Sequence, residues 1–354
     1  MSGSSLDGLD IAFIELQAKT GQWDFDIVEA ECMPYPDQWI SKLQNAINLN
    51  AKDYLLLHAE YGHYLGQQVN AFMDKYGLAY KVALISSHGH TSFHMPPFMT
   101  AQLGEGAAIA AETGLPVITD LRSLDVALGG QGAPIVPMGE KLLWKDYSFF
   151  LNLGGIANLS VNRPDQYLAY DICPANRILN LVAAKKGLPF DDGGKLAATG
   201  KIDTTLLNTL NALEYYGKAY PKSLANDFGT DIVFPLLEEG KLSEQDALAT
   251  YTEHIAIQVS AEVEKHLPGL GLPNTRILVT GGGAFNQFLV ERLKSHLEPM
   301  RVEVELPDTR LVNFKEALIM ALLGVLRWRD EPSTMATVTG ASKDGIGGAI
   351  WQGT

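Results

Sequence analysis

Ser2-Gly-Ser-Ser-Leu-Asp-Gly-Leu-Asp10, Asn152-Leu-Gly-Gly-Ile-Ala-Asn158 and Thr280-Gly-Gly-Gly-Ala-Phe-Asn286 are the stretches that decide the fold. The second and third follow apolar runs of strand type, Ser148-Phe-Phe-Leu-Asn152 and Ile277-Leu-Val279. The first leads into Asp10-Ile-Ala-Phe-Ile-Glu-Leu16, a further strand pattern. Glycine amides approach an anionic phosphate closely, because no Cβ intervenes and the N–H dipoles converge. Three such turns along one chain point to a nucleotide held between two lobes.

Working outward, strands and helices alternate, which predicts an α/β architecture. Leu65, Val69, Phe72 and Tyr76 recur at helical spacing, with Gly77 placed to end that helix. Val82-Ala-Leu-Ile85 reads as a strand that delivers Ser86-Ser-His-Gly-His-Thr91. Residues 106–113 read as a helix stopped by Gly114 and Pro116, and Val117-Ile118 leads into Thr119-Asp-Leu-Arg122. Tyr167-Leu-Ala-Tyr170 runs into Asp171; Pro174 suits the first position of a helix over 178–186, with Gly187 closing it. Ile255, Val259 and Val263 mark another helix. Polar and glycine-rich clusters follow the strands' C-terminal ends, where ligands collect in open α/β sheets. The first lobe is placed at residues 1–124, with the tail 328–354 returning to it, and the second at 125–327.

Size and composition agree. A chain of 354 residues with 46% hydrophobic residues can bury two cores. The net charge of −14 argues against a nucleic-acid partner. Two cysteines, Cys32 and Cys173, fit a reducing compartment. The first residues lack the basic-then-apolar pattern of a secretion signal. Ala317-Leu-Ile-Met-Ala-Leu-Leu-Gly-Val-Leu326 falls short of a bilayer span and reads as a buried helix. The expectation is a cytoplasmic chain with no membrane partner.

Several constellations carry chemistry, each with a plainer reading beside it. In the first turn, amides and hydroxyls suit ATP phosphates, while Asp7 or Asp10 suits orienting hydrated Mg²⁺; the plainer reading is a β-hairpin turn. His88, His90 and His94 sit close in sequence, but no cysteine or acidic cluster supports a transition metal there. The imidazoles and Thr91 also suit hydrogen bonds to sugar hydroxyls. Arg122 is either a clamp for an anion or one half of a structural pair with Asp120. Asp171 is a candidate general base or an N-cap aspartate. Glu316 interrupts an apolar helix pattern, as a solvated residue at the helix start or as an inward carboxylate beside substrate; the pattern favours the first. Asp191-Asp-Gly-Gly194 reads as a loop.

Taken together with Ser87-His-Gly-His-Thr91, Asp120-Leu-Arg122, Gly129-Gly-Gln-Gly-Ala-Pro134 and Val338-Thr-Gly-Ala341, these stretches resemble anhydro-N-acetylmuramic acid kinase, in the family's order and over nearly the whole chain. The resemblance implies the two-lobed actin/hexokinase/Hsp70-like, ribonuclease H-like fold with a nucleotide cleft between lobes. It implies an ATP-dependent kinase that opens 1,6-anhydro-N-acetylmuramic acid with water and phosphorylates its 6-oxygen, in cell-wall recycling. Asp171 matches the family's base. Thr91, Arg122 and Glu316, with His90, are the implied sugar contacts. Gly3, Ser4, Ser5, Leu6, Asp7, Gly8, Leu9, Asp10, Gly154, Gly155, Gly281, Gly282, Gly283 and Asn286 are the implied nucleotide contacts, with Mg²⁺ near Asp7 through water. A homodimer is also implied.

Three departures stand out. The family places an Ile-Gly-Leu-like strand before the first turn, so the first lobe is expected to be one sheet member short. The usual Asp-Thr-Gly-Pro-Gly-Asn is here Asp171-Ile-Cys-Pro-Ala-Asn176, followed by Asn180 in place of an Asp. Pro221-Lys-Ser-Leu-Ala-Asn-Asp227 lacks the Gly-Arg that follows Lys-Ser. Alternative readings are a kinase for another sugar or a non-catalytic member that binds nucleotide or muropeptide.

Overall fold

The structure, a computed structural model, describes residues 1–353 except 4, 5, 7, 165, 226 and 271–273. Its contacts divide the chain into two units, Met1–Leu143 with Phe314–Thr354, and Trp144–Asn313. The boundaries read from sequence, after residues 124 and 327, both fall inside the first unit of this division.

In the first unit, β1 (Leu9–Lys19) and β2 (Gln22–Met33) form an antiparallel hairpin. Thr20 and Gly21, both at positive φ, make its two-residue turn, a geometry whose twist matches that of the strands. The helix Ala51–Tyr76 is capped by Asn50, which accepts the Asp53 N–H, and closed by Gly77 at φ 61°. Leu57, Tyr61, Leu65 and Phe72 are among its buried residues, and the first three pack in a core with Trp39, Leu43 and Ile109. β3 (Ile85–Ser86) is followed by the antiparallel pair β4 (His90–Met95) and β5 (Met99–Leu103), the helix Gly106–Thr113 and β6 (Val117–Thr119). β6 pairs in parallel with β3 and antiparallel with the C-terminal strand Ala349–Trp351.

The strand expected over 82–85 is shorter than its pattern. Residues 81–87 and residues 9–17 of β1 both line an apolar cleft of about 670 Å³, together with helix residues such as Val69, Phe72 and Met320. Consecutive lining residues mean that strand edges, not faces, border the cleft. Among the described residues β1 pairs along its length only with β2, and β3 only with β6. Val82, Ala83 and Leu84 have the composition of a strand without a ladder to join.

The second unit holds β7 (Phe149–Leu153), β8 (Ile156–Asn162), β9 (Tyr167–Pro174), β10 (Thr275–Thr280) and β11 (Val302–Glu305), in the order β11-β10-β7-β8-β9. β11, β10 and β7 run parallel, and β8 runs antiparallel to both of its neighbours. Five strands in the order 3-2-1-4-5 with only the second reversed is the ribonuclease H-like arrangement, which meets the expected α/β class. The helix Glu244–His266 lays Tyr251, Ile255, Val259 and Val263 into the sheet core. Pro174 is not a helix N1 residue. It ends β9, where its carbonyl accepts the Tyr251 hydroxyl at 2.8 Å; Ala175 is non-helical, and the helix is Asn176–Ala184.

His254, fully buried on that long helix, has one tautomer available. Its Nδ1 meets Asn211 Oδ1 at 2.7 Å, an oxygen that also accepts from Gln258, so Nδ1 carries the proton. Nε2 accepts from the Tyr216 hydroxyl at 3.0 Å. Burial pushes its pKa down to about 3. The unfolded chain therefore binds this proton first, and stability falls as pH drops from about 6.5 towards 3. In His254→Gln the acid-side slope of unfolding free energy against pH becomes shallower by up to about 1.4 kcal/mol per pH unit, read from urea melts between pH 4 and 6.5.

The apolar run 317–326 lies in the helix Thr309–Trp328, with Leu318, Ile319, Met320, Leu322 and Leu323 buried. Among the described residues no helix is long and apolar enough to cross a membrane.

Candidate active site

Asp171 lies on β9 in the second unit, opposite Asn158 on β8, where the β8–β9 ladder shifts register. It is not a helix cap, since the next helix begins five residues later. Its half-buried carboxylate accepts from the Asn158 amide at Oδ1, and from Ser223 Oγ (3.0 Å) and the Leu224 N–H (2.9 Å) at Oδ2. The Tyr215 hydroxyl donates to the Asp171 backbone carbonyl at 2.7 Å. Asn158 stood in a quoted motif without a role, and neither Ser223 nor Leu224 was singled out from sequence.

The glycines of this unit, which the sequence groups together, separate by geometry. Gly281 sits at φ 80°, and a Cβ there would stand 2.5 Å from Asn152 Oδ1 and 2.8 Å from the Leu153 carbonyl. At Gly283 a Cβ would stand 2.6 Å from that of Leu153. These two allow the β10 turn to pack on the β7 turn. Gly155 and Gly282 are exposed, and a Cβ on either would meet nothing closer than 3.6 Å. They leave open backbone beside Asn176, which donates through Nδ2 to the Leu153 carbonyl (2.8 Å) and through its N–H to the Gly154 carbonyl (3.1 Å). Asn286 is an N-cap, its Oδ1 accepting the Leu289 N–H at 3.0 Å. Gly281→Ala therefore lowers stability by about 2–3 kcal/mol in thermal or urea unfolding, while Gly282→Ala costs under about 1 kcal/mol.

In the first unit, Ser4, Ser5 and Asp7 of the first turn lie outside the described residues. Around them the turn is closed by an antiparallel bridge between Ser2 and Leu9 and by mutual bonds between Met1 and Asp10. Within it, Leu6 sits at φ 56°. Gly3 lies in the same turn, half-buried. Gly8 serves packing: a Cβ would stand 2.5 Å from Cys32 Sγ. Tyr35 donates to Ser2 Oγ at 2.9 Å, so the contact between the Tyr35 and Tyr61 hydroxyls is a Tyr61 donation. Ser2 Oγ lies 3.1 Å from Nδ1 of buried His90. This chain of hydrogen bonds joins the turn to the start of β4, where Thr91 is exposed.

Arg122 does not pair with Asp120. Its Nε donates to His88 Nε2 (2.8 Å) and its Nη1 to the Gly132 carbonyl (2.6 Å). Since arginine only donates, His88 Nε2 must be the acceptor, leaving Nδ1–H for the Gly89 carbonyl at 3.0 Å. Burial, then the neighbouring Arg122, pushes the His88 pKa down to about 3 and keeps the ring neutral. Arg122 itself is pushed down to about 10 by burial, against the pull of Glu316 and Asp125. Asp125 is buried and holds the Gly132 N–H (2.8 Å) and Thr339 Oγ1 (2.7 Å), so the 129–134 and 338–341 motifs are one structure. Glu316 is neither at a helix start nor merely solvated: it lies within Thr309–Trp328, open to solvent, yet desolvation by the surrounding protein raises its pKa. Asp10 pushes the same way, while Lys315, Arg122 and the Met1 amine oppose it. Among the described residues no three His, Cys, Asp or Glu side chains group as a metal site, and His94 meets Thr100 instead.

The second unit supplies a held carboxylate and exposed glycine backbone, and the first unit, by itself, a buried guanidinium; such groups activate a nucleophile or receive an anion. In comparison with known proteins, residues 1–353 match the anhydro-N-acetylmuramic acid kinase family. The chain belongs to that family. Anhydro-N-acetylmuramic acid kinase family proteins of Synechococcus elongatus and Aliivibrio fischeri are each 33% identical to it, covering 100% and 99% of this chain and 98% and 97% of their own. A solved structure, the activator of 2-hydroxyisocaproyl-CoA dehydratase from Clostridium difficile with bound ADPNP, is similar over 57% of this chain and 64% of its own, at 16% identity and a TM-score of 0.35. It bears on none of the chemistry. The family is one of kinases, enzymes that use ATP.

Proposed function

We propose that this chain phosphorylates 1,6-anhydro-N-acetylmuramic acid while water opens the anhydro bridge. Water adds at C1 and gives its proton to Asp171; the C1–O6 bond breaks; O6 takes the γ-phosphoryl group and ADP leaves. The product is N-acetylmuramic acid 6-phosphate, as cell-wall recycling requires. The observation that carries this reading is the Asp171 carboxylate, held by three donors from β8 and the 223–224 loop and not spent on a helix end. A base is needed because water attacks an anomeric carbon, as in inverting glycoside hydrolysis.

Thr91, His90, Arg122 and Glu316 are assigned to the sugar. Gly155 and Gly282, with the first turn, are assigned to the ATP phosphates, while Gly281 and Gly283 support them through packing. Mg²⁺ usually takes one or two carboxylates plus water and phosphate oxygens, so a single carboxylate at Asp7 or Asp10, acting through water, is assigned to it without a three-residue cluster. When bound, Mg²⁺ neutralises charge on the transferring phosphoryl group.

The test is incubation with ATP, Mg²⁺ and the anhydro-sugar in ¹⁸O-water. Label at C1 together with a 6-phosphate supports the reading. Phosphorylation of a different sugar only, or nucleotide binding without turnover, removes it.

A further inference from the structure

The loop that departs from the family pattern, Pro221-Lys-Ser-Leu-Ala, is tied to Asp171 from two sides. Lys222 is buried, its side chain 2% exposed, and its ammonium donates to Glu262 Oε1 at 2.7 Å, itself 6% exposed. The same ammonium lies 5.0 Å from the Tyr215 ring centroid and 5.7 Å from that of Tyr170. Tyr170 donates to Glu262 Oε2 at 3.0 Å, and Tyr215 donates to the Asp171 carbonyl at 2.7 Å. One residue after this anchor, Ser223 Oγ and then the Leu224 N–H reach Asp171 Oδ2. Ser223 is exposed, whereas Leu224 is buried.

A lysine followed by a serine in a kinase invites assignment to phosphate. Here that lysine is spent: a buried ammonium already paired with a buried carboxylate and set against two aromatic rings is an anchor. We propose that Lys222 fixes this loop so that Ser223 acts as a positioning residue for Asp171. Ser223 and Leu224 hold Oδ2 from one side and Asn158 holds Oδ1 from the other, which sets the carboxylate plane against the attacking water. The inference rests on the reading of Asp171 as the base.

Ser223→Ala removes one donor at an exposed position and leaves the Leu224 N–H in place. The expected result is a kcat lower by about tenfold, in line with the cost of slight misplacement of a reacting group, with KM for sugar and ATP within about twofold. Its thermal midpoint stays within about 2 °C of wild type. Ser223→Thr retains the hydroxyl and restores kcat to within about threefold. A kcat for Ser223→Ala equal to wild type overturns the proposal, and so does a loss that Thr does not restore or that falls on KM. Asp171→Asn separates the two ideas. If that variant turns over freely, the base assignment fails; if it is inactive while Ser223→Ala is fully active, only the clamp fails.

Discussion

Asp171→Asn lowers kcat by about a thousandfold and leaves KM for the anhydro-sugar within about twofold, since a base acts on the transition state and adds little to ground-state binding. The substitution keeps the shape of the side chain but turns one acceptor into a donor. Facing Ser223 and Leu224, the new NH₂ meets two donors; flipped, it meets the Asn158 amide. Either way a donor loses its partner, which costs about 1–3 kcal/mol of stability. Steady-state kinetics beside a melting curve separate the two effects. Retention of a tenth of wild-type turnover would take Asp171 out of the mechanism.

Lys315→Met has the larger effect on folding. Lys315 and Glu140 form an ion pair of 2.6 Å with side chains 5% and 4% exposed, within the first unit. Removing the ammonium takes a positive partner away from an interior carboxylate, a change that typically lowers stability by about 3–5 kcal/mol. The double variant Lys315→Met with Glu140→Leu recovers most of that, because it removes the buried negative charge together with its cation. Tryptophan fluorescence during urea unfolding reports it, since Trp23, Trp39, Trp328 and Trp351 all belong to the first unit. A double variant as unstable as the single one would show that packing, not charge, sets the cost. Lys315 also opposes the raised pKa of Glu316, so the single variant pushes that carboxyl further upward.

What the sequence shows is what local chemistry determines. Residues 106–113 with Gly114, and the helix ending at Gly77, read correctly because apolar spacing and a left-handed glycine are properties of neighbouring residues. β2 went unread, although Trp23, Phe25 and Ile27 alternate after Gly21. The strand at Val82 was drawn too long because a ladder needs a neighbour, and the pattern of one segment does not reveal whether a neighbour is there. The site divides in the same way. Asp171 and the glycine turns could be picked out, but which glycines pack and which stay open depends on Leu153 and Asn152, more than a hundred residues from Gly281. Ser223, 52 residues from Asp171, and His88, 34 from Arg122, are partners that only the folded chain names.

The edge of β1 along the apolar cleft has a consequence for isotope exchange. In an antiparallel hairpin, successive backbone N–H groups point alternately towards and away from the partner strand. Beyond Asp10, every second amide of β1 therefore faces the cleft, where no strand receives it among the described residues. Deuterium uptake along β1 rises and falls with a period of two residues, rapid at the cleft-facing amides and slow at those bonded to β2.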